Sequence, residues 1–279
     1  MSEKYGYLKN QWQGFYREID KDLKSSNDTN FKDYVEKIKN ETLTLDDYTN
    51  RKAIKENYFC NFMENGSTKL YGSASAGNAK YFGIKLDKDS KTYYISKSID
   101  GEKENPNSNF ENAEIKFKQI LLPELMKICK EITDTNKDEI FKIVEQNNKI
   151  PSKVMLRKIV AMNNAGKFLY IYSDEAINTI YDFFLPNSNY KTNIEKNYEL
   201  TSELRTIFPK KDKGDDNFYL IRLSSFIWSI FGSSIKLEAK NMILHGAPGT
   251  GKTYSIKNTI KNIILKQGGN IDEQLVFTQ

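Results

Sequence analysis

The chain has 279 residues and a net charge of +5, and 38% of its residues are hydrophobic and 28% charged. This composition is typical of globular proteins and excludes a disordered or membrane-embedded chain. The single histidine excludes a histidine-based triad or a multi-histidine metal site, the two cysteines are too few for a metal knuckle, and the small net charge excludes a basic surface over the whole chain.

Residues 1 to about 50 have helical periodicity. We predict two helices, joined by the polar segment Ser25–Asn30. Aromatic residues at helical spacing more often form a core than stack on bases, so both apolar faces are expected to be buried. The apolar residues are Tyr7, Trp12, Phe15, Tyr16 and Ile19 in the first helix, and Phe31, Tyr34, Val35 and Ile38 in the second.

From about residue 58 the apolar pattern changes to that of short strands separated by turn residues. The four predicted strands, which would form a small antiparallel sheet, are Tyr58–Phe62, Thr68–Tyr71, Ala79–Ile84 and Thr92–Ser96. The small residues of Gly72–Asn78 would let a ligand approach the backbone closely, or simply form a flexible turn. Cys60 and Cys129 are predicted to be buried thiols, because a disulfide is unexpected in a reducing compartment.

The middle of the chain is predicted to be mainly helical. Pro123 lies inside one helical segment, which either starts near it or continues through it with a kink. Ser152 or Pro151 would open a second helix, and Ser173 would cap a third. The predicted segments are a loop at Gly101–Asn109, helices at Ala113–Lys130, Lys137–Asn147, Lys153–Met162 and Ser173–Phe184, a polar region from Asn187 to Asn217, and apolar segments at Asn217–Leu223 and Ser225–Gly232.

Basic residues are concentrated between Arg51 and Lys97, where nine Lys or Arg residues face four Asp or Glu residues. This stretch is the most plausible surface for phosphate contacts, although a solvated basic face explains it equally well. Bases would be read only if Tyr71 or Tyr81 reached a flipped or distorted nucleotide. The candidate DNA-binding residues, together with the Gly72–Asn78 segment, are Arg51, Lys52, Lys69, Lys80 and Lys85.

A complete G-x-x-x-x-G-K-[ST] motif lies at Gly246–Thr253, after the apolar segment Asn241–His245 and before the periodic segment Tyr254–Leu265. Strand, loop and helix are the order that a phosphate-binding loop requires. Lys252 would contact the β- and γ-phosphates, and the Thr253 hydroxyl would hold Mg²⁺. The candidate residues for binding GTP or ATP are Gly246, Ala247, Pro248, Gly249, Thr250, Gly251, Lys252, Thr253 and Tyr254.

The segment Leu244–Tyr254 resembles the Walker A motif of the AAA+ superfamily, and specifically that of the McrB-like NTPases of modification-dependent restriction systems. Further similar segments span about residues 58 to 279. They are Phe59–Glu64 with Gly72–Asn78 and Lys80–Ile84, Leu156–Val160 with Lys167–Asp174, and Gln274–Thr278.

The resemblance implies a motor subunit that forms a homo-oligomeric ring and uses GTP or ATP. It also implies binding to DNA, including modified DNA, and recruitment of a nuclease subunit. The residues after Thr253 contain no Walker B pair, sensor or arginine finger, so we expect nucleotide binding without hydrolysis by this chain alone. We also expect residues 240–279, as a truncated AAA+ core, to be poorly ordered or weakly packed.

Three regions follow from these predictions. Residues 1–132 form an α+β recognition region with helices and a small antiparallel sheet, residues 133–235 a mainly helical linker domain, and residues 236–279 the first βαβ piece of an α/β AAA+ P-loop domain. The alternatives to a motor subunit are an inactive DNA- or partner-binding module left by a truncated or split gene, and an unrelated chaperone-like AAA+ regulator. Without a long apolar segment or a signal peptide, the chain is predicted to be cytoplasmic and without membrane contact.

Overall fold

The computed structural model describes residues 5–49, 58–73, 82–87, 90–101, 103–186, 191–210 and 215–232. These residues are mainly helical with a small antiparallel sheet, which agrees with the α+β class predicted from the sequence. The predicted βαβ piece at 236–279, and the expected weak order of residues 240–279, lie outside the described residues.

The helices are α1 (Gly6–Gly14), α2 (Lys21–Lys39), α3 (Leu45–Thr49), α4 (Phe59–Asn61), α5 (Thr68–Tyr71), α6 (Lys97–Asp100), α7 (Phe110–Lys116), α8 (Leu122–Ile128), α9 (Lys137–Gln146), α10 (Lys153–Asn163), α11 (Asp174–Phe184), α12 (Asn193–Ile207) and α13 (Asp216–Phe231).

Helix α2 runs through the polar segment Ser25–Asn30, so the predicted break there is wrong. The helix begins earlier than predicted because the Asp20 carboxylate accepts the backbone N–H of Leu23 at 2.9 Å. Burial of Asn27 and Phe31 on one face then offsets the weak helix preference of Ser, Asn and Asp. The first helix is correspondingly shorter than predicted and leaves Tyr16 76% exposed.

The segment from Phe59 to Tyr71 is helical, so the two strands predicted at Tyr58–Phe62 and Thr68–Tyr71 are wrong. Helix α4 continues into a π-helical segment, Phe62–Gly66, in which the Ser67 N–H donates to the Phe62 carbonyl at 2.9 Å. The wider turn lets neighbouring apolar residues face inward together. The buried apolar side chains of this run are Phe59, Cys60, Phe62, Met63, Leu70 and Tyr71.

The described strands form one antiparallel sheet in the order β1 (Ile84–Leu86), β2 (Tyr93–Ile95) and β3 (Asn105–Ser108). Ile84 pairs with Ile95 and Leu86 with Tyr93, which buries alternate residues of both strands. Strand β2 confirms the prediction at Thr92–Ser96. Strand β1 begins at Ile84, the last residue of the strand predicted at Ala79–Ile84. Strand β3 lies in the segment Gly101–Asn109, which was predicted to be a loop because proline and asparagine are uncommon in strands.

A second π-helical segment, Phe117–Leu121, joins α7 to α8 into one helical run. Of the two predicted alternatives, the helix continues through Pro123, which lies in the first turn of α8. A proline is tolerated in a first turn because its missing N–H needs no intrahelical acceptor there. The inward face of the run is fully apolar, with Phe117, Leu121, Leu125 and Ile128 buried.

The predicted helices α9, α10 and α11 are confirmed, together with the caps of two of them. Ser152 Oγ accepts the Met155 N–H at 3.2 Å, and Ser173 Oγ accepts the Ala176 N–H at 3.3 Å. The region predicted as polar contains α12, which the side chains of Thr192 and Glu195 cap reciprocally. Helix α13 is one element where the sequence predicts two apolar segments.

The N-terminal helix packs against the C-terminal helices of the described chain. The Trp12 ring lies 5.3 Å from Phe226 and 6.2 Å from Phe208, centre to centre, and its indole N–H donates to the Pro209 carbonyl at 3.2 Å. One cluster of buried residues extends from Tyr5 to Phe231. The division into regions at residues 132 and 235 stays a prediction.

Cys60 and Cys129 are buried free thiols, as predicted. Burial raises the pKa of Cys129 to about 12, so this thiol is not a nucleophile at neutral pH. Among the described ranges, no helix has the length and apolar character needed to cross a membrane.

Candidate functional site

The described structure includes two of the candidate binding residues. Lys69 lies in α5 and Lys85 in β1, and both side chains are exposed. Arg51, Lys52 and Lys80 lie outside the described residues. The complete nucleotide-binding set at 246–254, including the predicted Mg²⁺ ligand Thr253, also lies outside them, as does His245.

Of the Gly72–Asn78 segment, the structure describes Gly72 and Ser73, which directly follow α5. Gly72 has φ +68°, a conformation that residues with a side chain rarely adopt. A Cβ atom at Gly72 would lie only 2.5 Å from the Tyr170 carbonyl oxygen. The glycine therefore permits the backbone of this turn to approach the segment that precedes α11.

A cavity of about 630 Å³ opens beside Gly72 and Ser73. Five parts of the chain enclose it: the segment between α1 and α2, α5 with its following turn, α10, the residues before α11, and α13. Its volume falls within the range of small-molecule binding sites. The described residues that line it are Arg17, Thr68, Lys69, Leu70, Gly72, Ser73, Val154, Tyr170, Ile171, Tyr172, Ser173, Ser224, Ser225, Trp228 and Ser229.

Two cations and no carboxylate are found among the described residues that line the cavity. The Arg17 guanidinium donates to the Ser225 hydroxyl and to the Lys69 carbonyl, which holds it in place. Burial lowers the pKa of Arg17. Within the described part of the chain, neither Arg17 nor Lys69 forms an ion pair, so no described carboxylate offsets either charge.

The remaining wall combines hydroxyl groups with apolar and aromatic surface. Tyr170 is fixed at both ends, because its N–H donates to Ser224 Oγ at 2.8 Å and its hydroxyl donates to Asn217 Oδ1. Trp228 is 48% exposed, although large apolar side chains elsewhere in the described structure are mostly buried. An exposed indole beside a cavity is available to a ligand.

A buried lysine of α10 binds the backbone of the turn at Gly72. Lys158, on α10, donates from Nζ to the Gly72 carbonyl at 2.7 Å and to the Met63 carbonyl at 2.8 Å. Its side chain is 0% exposed, and burial lowers its pKa to about 7 from an ordinary value of 10.5. Lys158 therefore joins α10 to the π-helical segment Phe62–Gly66 and to the turn that follows α5.

Lys158→Met should change how stability depends on pH. The folded-state pKa lies below the unfolded value, so from about pH 7 upward the unfolded chain binds the extra proton and stability rises with pH. Relative to Lys158→Met, the wild-type free energy of unfolding should rise by about 1.4 kcal/mol per pH unit between about pH 7 and pH 9. Urea unfolding of both proteins across this range measures the difference, and parallel pH profiles would contradict the prediction.

A partly buried polar network holds α5 against α2 and α13. The Tyr71 hydroxyl donates to Asp28 Oδ1 and accepts from Asn217 Nδ2 at 3.3 Å. Burial, together with the Asp28 carboxylate, raises the pKa of Tyr71, which therefore stays protonated at neutral pH. Lys24 completes the network, with Nζ 2.5 Å from Asp28 Oδ2 and 3.2 Å from Asp215 Oδ2.

The segment before α11, which forms one wall of the cavity, is positioned by Arg157. This buried side chain donates from Nη1 to the Tyr172 carbonyl at 3.0 Å and binds both carboxylate oxygens of Glu145, at 2.9 Å and 3.0 Å. Tyr172 in turn donates from its hydroxyl to the Tyr71 carbonyl at 2.7 Å. The hydrogen bonds of Arg157 and Tyr172 thus fix the wall of the cavity that precedes α11.

Sequence reasoning identified Lys69 and the Gly72 turn but missed Arg17, Trp228 and Lys158. The adjacent cations Arg157 and Lys158, inside an otherwise apolar helix, were a visible signal, because buried cations require acceptors. Arg17 and Trp228 gave no comparable signal. They lie 211 positions apart in the sequence, and only the packing of the first helices against α13 brings them together.

Comparison of the chain with protein-family models, with curated proteins and with solved structures finds no match. The roles of these residues therefore rest on their geometry and on the sequence motifs.

Proposed function

We propose that the chain binds GTP or ATP with Mg²⁺ through residues 246–254 and serves as the nucleotide-binding subunit of an McrB-like restriction system. The observation that carries this proposal is the complete motif Gly246–Thr253 between an apolar segment and a periodic helical segment. Accidental occurrence of the motif in that context is rare. The partners would be further copies of the chain, in a ring, and a nuclease subunit.

The proposal gives the N-terminal half a role in DNA recognition. Lys69 supports this role, because this exposed lysine lines the same cavity as Arg17 and the Gly72 turn. Unpaired cations beside exposed backbone are the groups that contact phosphates. Lys85, exposed on β1, would contribute a further contact.

Lys252→Ala is expected to raise the Kd for fluorescent GTP or ATP about 10- to 100-fold. The lysine would make charge-assisted contacts to the phosphates, which contribute about 1.5–3 kcal/mol. Fluorescence anisotropy titrations of the full chain with Mg²⁺ measure both affinities, and the same titration shows whether GTP or ATP is preferred.

The matched control is Lys266→Ala, which removes a lysine from the segment after the motif and should bind nucleotide as the wild type does. If wild type and Lys252→Ala bind equally weakly, the phosphate-binding loop is inactive and the proposal fails.

The second candidate function is a DNA- or partner-binding module without nucleotide chemistry. The observation that favours it is the cavity, because the described residues that line it run from Arg17 to Ser229 and supply cations, hydroxyl groups and aromatic surface. Gel shifts with methylated and unmethylated duplexes, at low and high salt, distinguish the candidates when combined with the nucleotide titration. A shift without nucleotide binding supports the module, and no shift at low salt excludes DNA as the partner of either.

A further inference from the structure

We propose that the cavity between α5, α10 and α13 binds a free, small aromatic anion, such as an aryl carboxylate, sulfonate or phosphate. The inference is argued from described residues between Arg17 and Ser229, so it goes beyond the proposed nucleotide function and does not depend on it. About 630 Å³ is enough for a ligand of drug-like size.

The negative charge of the ligand follows from the cations. Arg17 is half-buried, and within the described structure it has a hydroxyl and a carbonyl as acceptors but no carboxylate. A guanidinium that has lost part of its hydration and has no counter-ion attracts an anion more strongly than an exposed one does. Lys69 is the second cation among the described residues that line the cavity.

The aromatic body follows from the other walls. Trp228 presents a half-exposed indole, and Leu70, Val154 and Ile171 supply apolar surface. Flat aromatic rings stack on an indole and exclude water from such a wall. The hydroxyl groups of Ser225 and Ser229 can hydrogen-bond polar substituents of the ring.

The shape of the site favours a free ligand over a polymer. Five parts of the described chain line the cavity, and the described lining contributes two cations, Arg17 and Lys69. A nucleic-acid backbone instead needs an extended row of cations that follows successive phosphates. A lining with two cations suits the single charged group of a small molecule better than it suits a row of phosphates.

The test uses 8-anilinonaphthalene-1-sulfonate, a fused aromatic ring system with one sulfonate, against N-phenyl-1-naphthylamine, which lacks the sulfonate. Titration of the full chain, followed by dye fluorescence and by quenching of tryptophan fluorescence, should show one saturable site that prefers the anionic dye. Trp228→Phe should reduce the quenching, because Trp228 lines the cavity and Trp12 is not among its described lining residues.

Three substitutions locate the dye. Lys69→Gln should weaken binding of the anionic dye roughly fivefold or more and leave the neutral dye unaffected. Lys85→Gln removes an equally exposed lysine that does not line the cavity and should change neither affinity. Val154→Phe should fill the apolar wall and weaken both dyes, while circular dichroism confirms that the variant is folded.

Several results would overturn the proposal: no saturable binding, equal affinity for the two dyes, equal effects of Lys69→Gln and Lys85→Gln, or unchanged binding to Val154→Phe. Displacement of the dye by Mg²⁺ and GTP or ATP, or its loss in Lys252→Ala, would place it at the nucleotide motif and also overturn the proposal. Dye binding that persists in Lys252→Ala supports the cavity even where nucleotide binding fails.

Discussion

Arg157→Met should lower the free energy of unfolding by about 3 kcal/mol, because within the described structure it leaves the buried Glu145 carboxylate with only the longer ion pair to Lys153 at 3.9 Å and the Ile194 N–H at 3.2 Å. The two side chains are 4% and 12% exposed, and they make two parallel hydrogen bonds at 2.9 Å and 3.0 Å. The substitution also frees the Tyr172 carbonyl, which Arg157 binds at 3.0 Å. Equilibrium urea unfolding measures the loss.

Asp174→Asn is the matched control, because Asp174 also pairs with Arg157, at 2.5 Å, but its side chain is 66% exposed. Solvent screening limits such a pair to about 0–1 kcal/mol. Equal losses in Arg157→Met and Asp174→Asn would show that burial of the Glu145 pair is not the source of the stability.

Gly72→Ala should lower the free energy of unfolding by about 2–5 kcal/mol and weaken dye binding to the cavity. The alanine would strain the backbone at φ +68° and would place its methyl group 2.5 Å from the Tyr170 carbonyl oxygen. Relief of this contact requires the turn and the cavity wall to separate. Urea unfolding and the dye titration measure the two effects.

Gly101→Ala separates the effect of backbone strain from the effect of the contact with Tyr170. Gly101 has φ +107°, but no atom lies within 4 Å of a Cβ built there, so only backbone strain of about 1–3 kcal/mol is expected. If both alanine variants lose the same stability, the contact with Tyr170 costs nothing and the cavity wall is more adaptable than its geometry indicates.

Helices with local signals were predictable from the sequence. Ser152 and Ser173 each precede a periodic apolar segment and do cap α10 and α11. Such caps involve residues within one turn of each other, so a sequence contains all of the information needed. Helix α12 also had local signals, a capping box at Thr192 and Glu195 and apolar residues at helical spacing, but its many polar residues hid them.

Elements that depend on distant packing were not predictable. The run Tyr58–Phe62 is short and aromatic, and such runs do not distinguish strand from helix. Here a π-helical segment directs Phe62 and Met63 into the core. The break predicted at Ser25–Asn30 followed intrinsic preferences, which the burial of Asn27 and Phe31 overrides.

The candidate site was predictable only in part, for the same reason. Lys69 and Gly72 were identified because they are close in sequence and unusual in type. The cavity also needs Arg17 and Trp228, which come from opposite ends of the described chain. No spacing pattern in the sequence predicts that Arg17 and Trp228 lie near each other, because this depends on how the helices pack.

The contact between Trp12 and Pro209 also sets a time course for biosynthesis. The two residues are 197 positions apart, so at about 5–20 residues per second a ribosome needs roughly 10–40 s to make the chain between them. Throughout that interval Leu8 and Trp12, which end up 1% and 5% exposed, have no C-terminal helix to cover them. Helix α1 therefore lacks its final packing partners throughout that interval, and the cavity can form only after translation has passed α13.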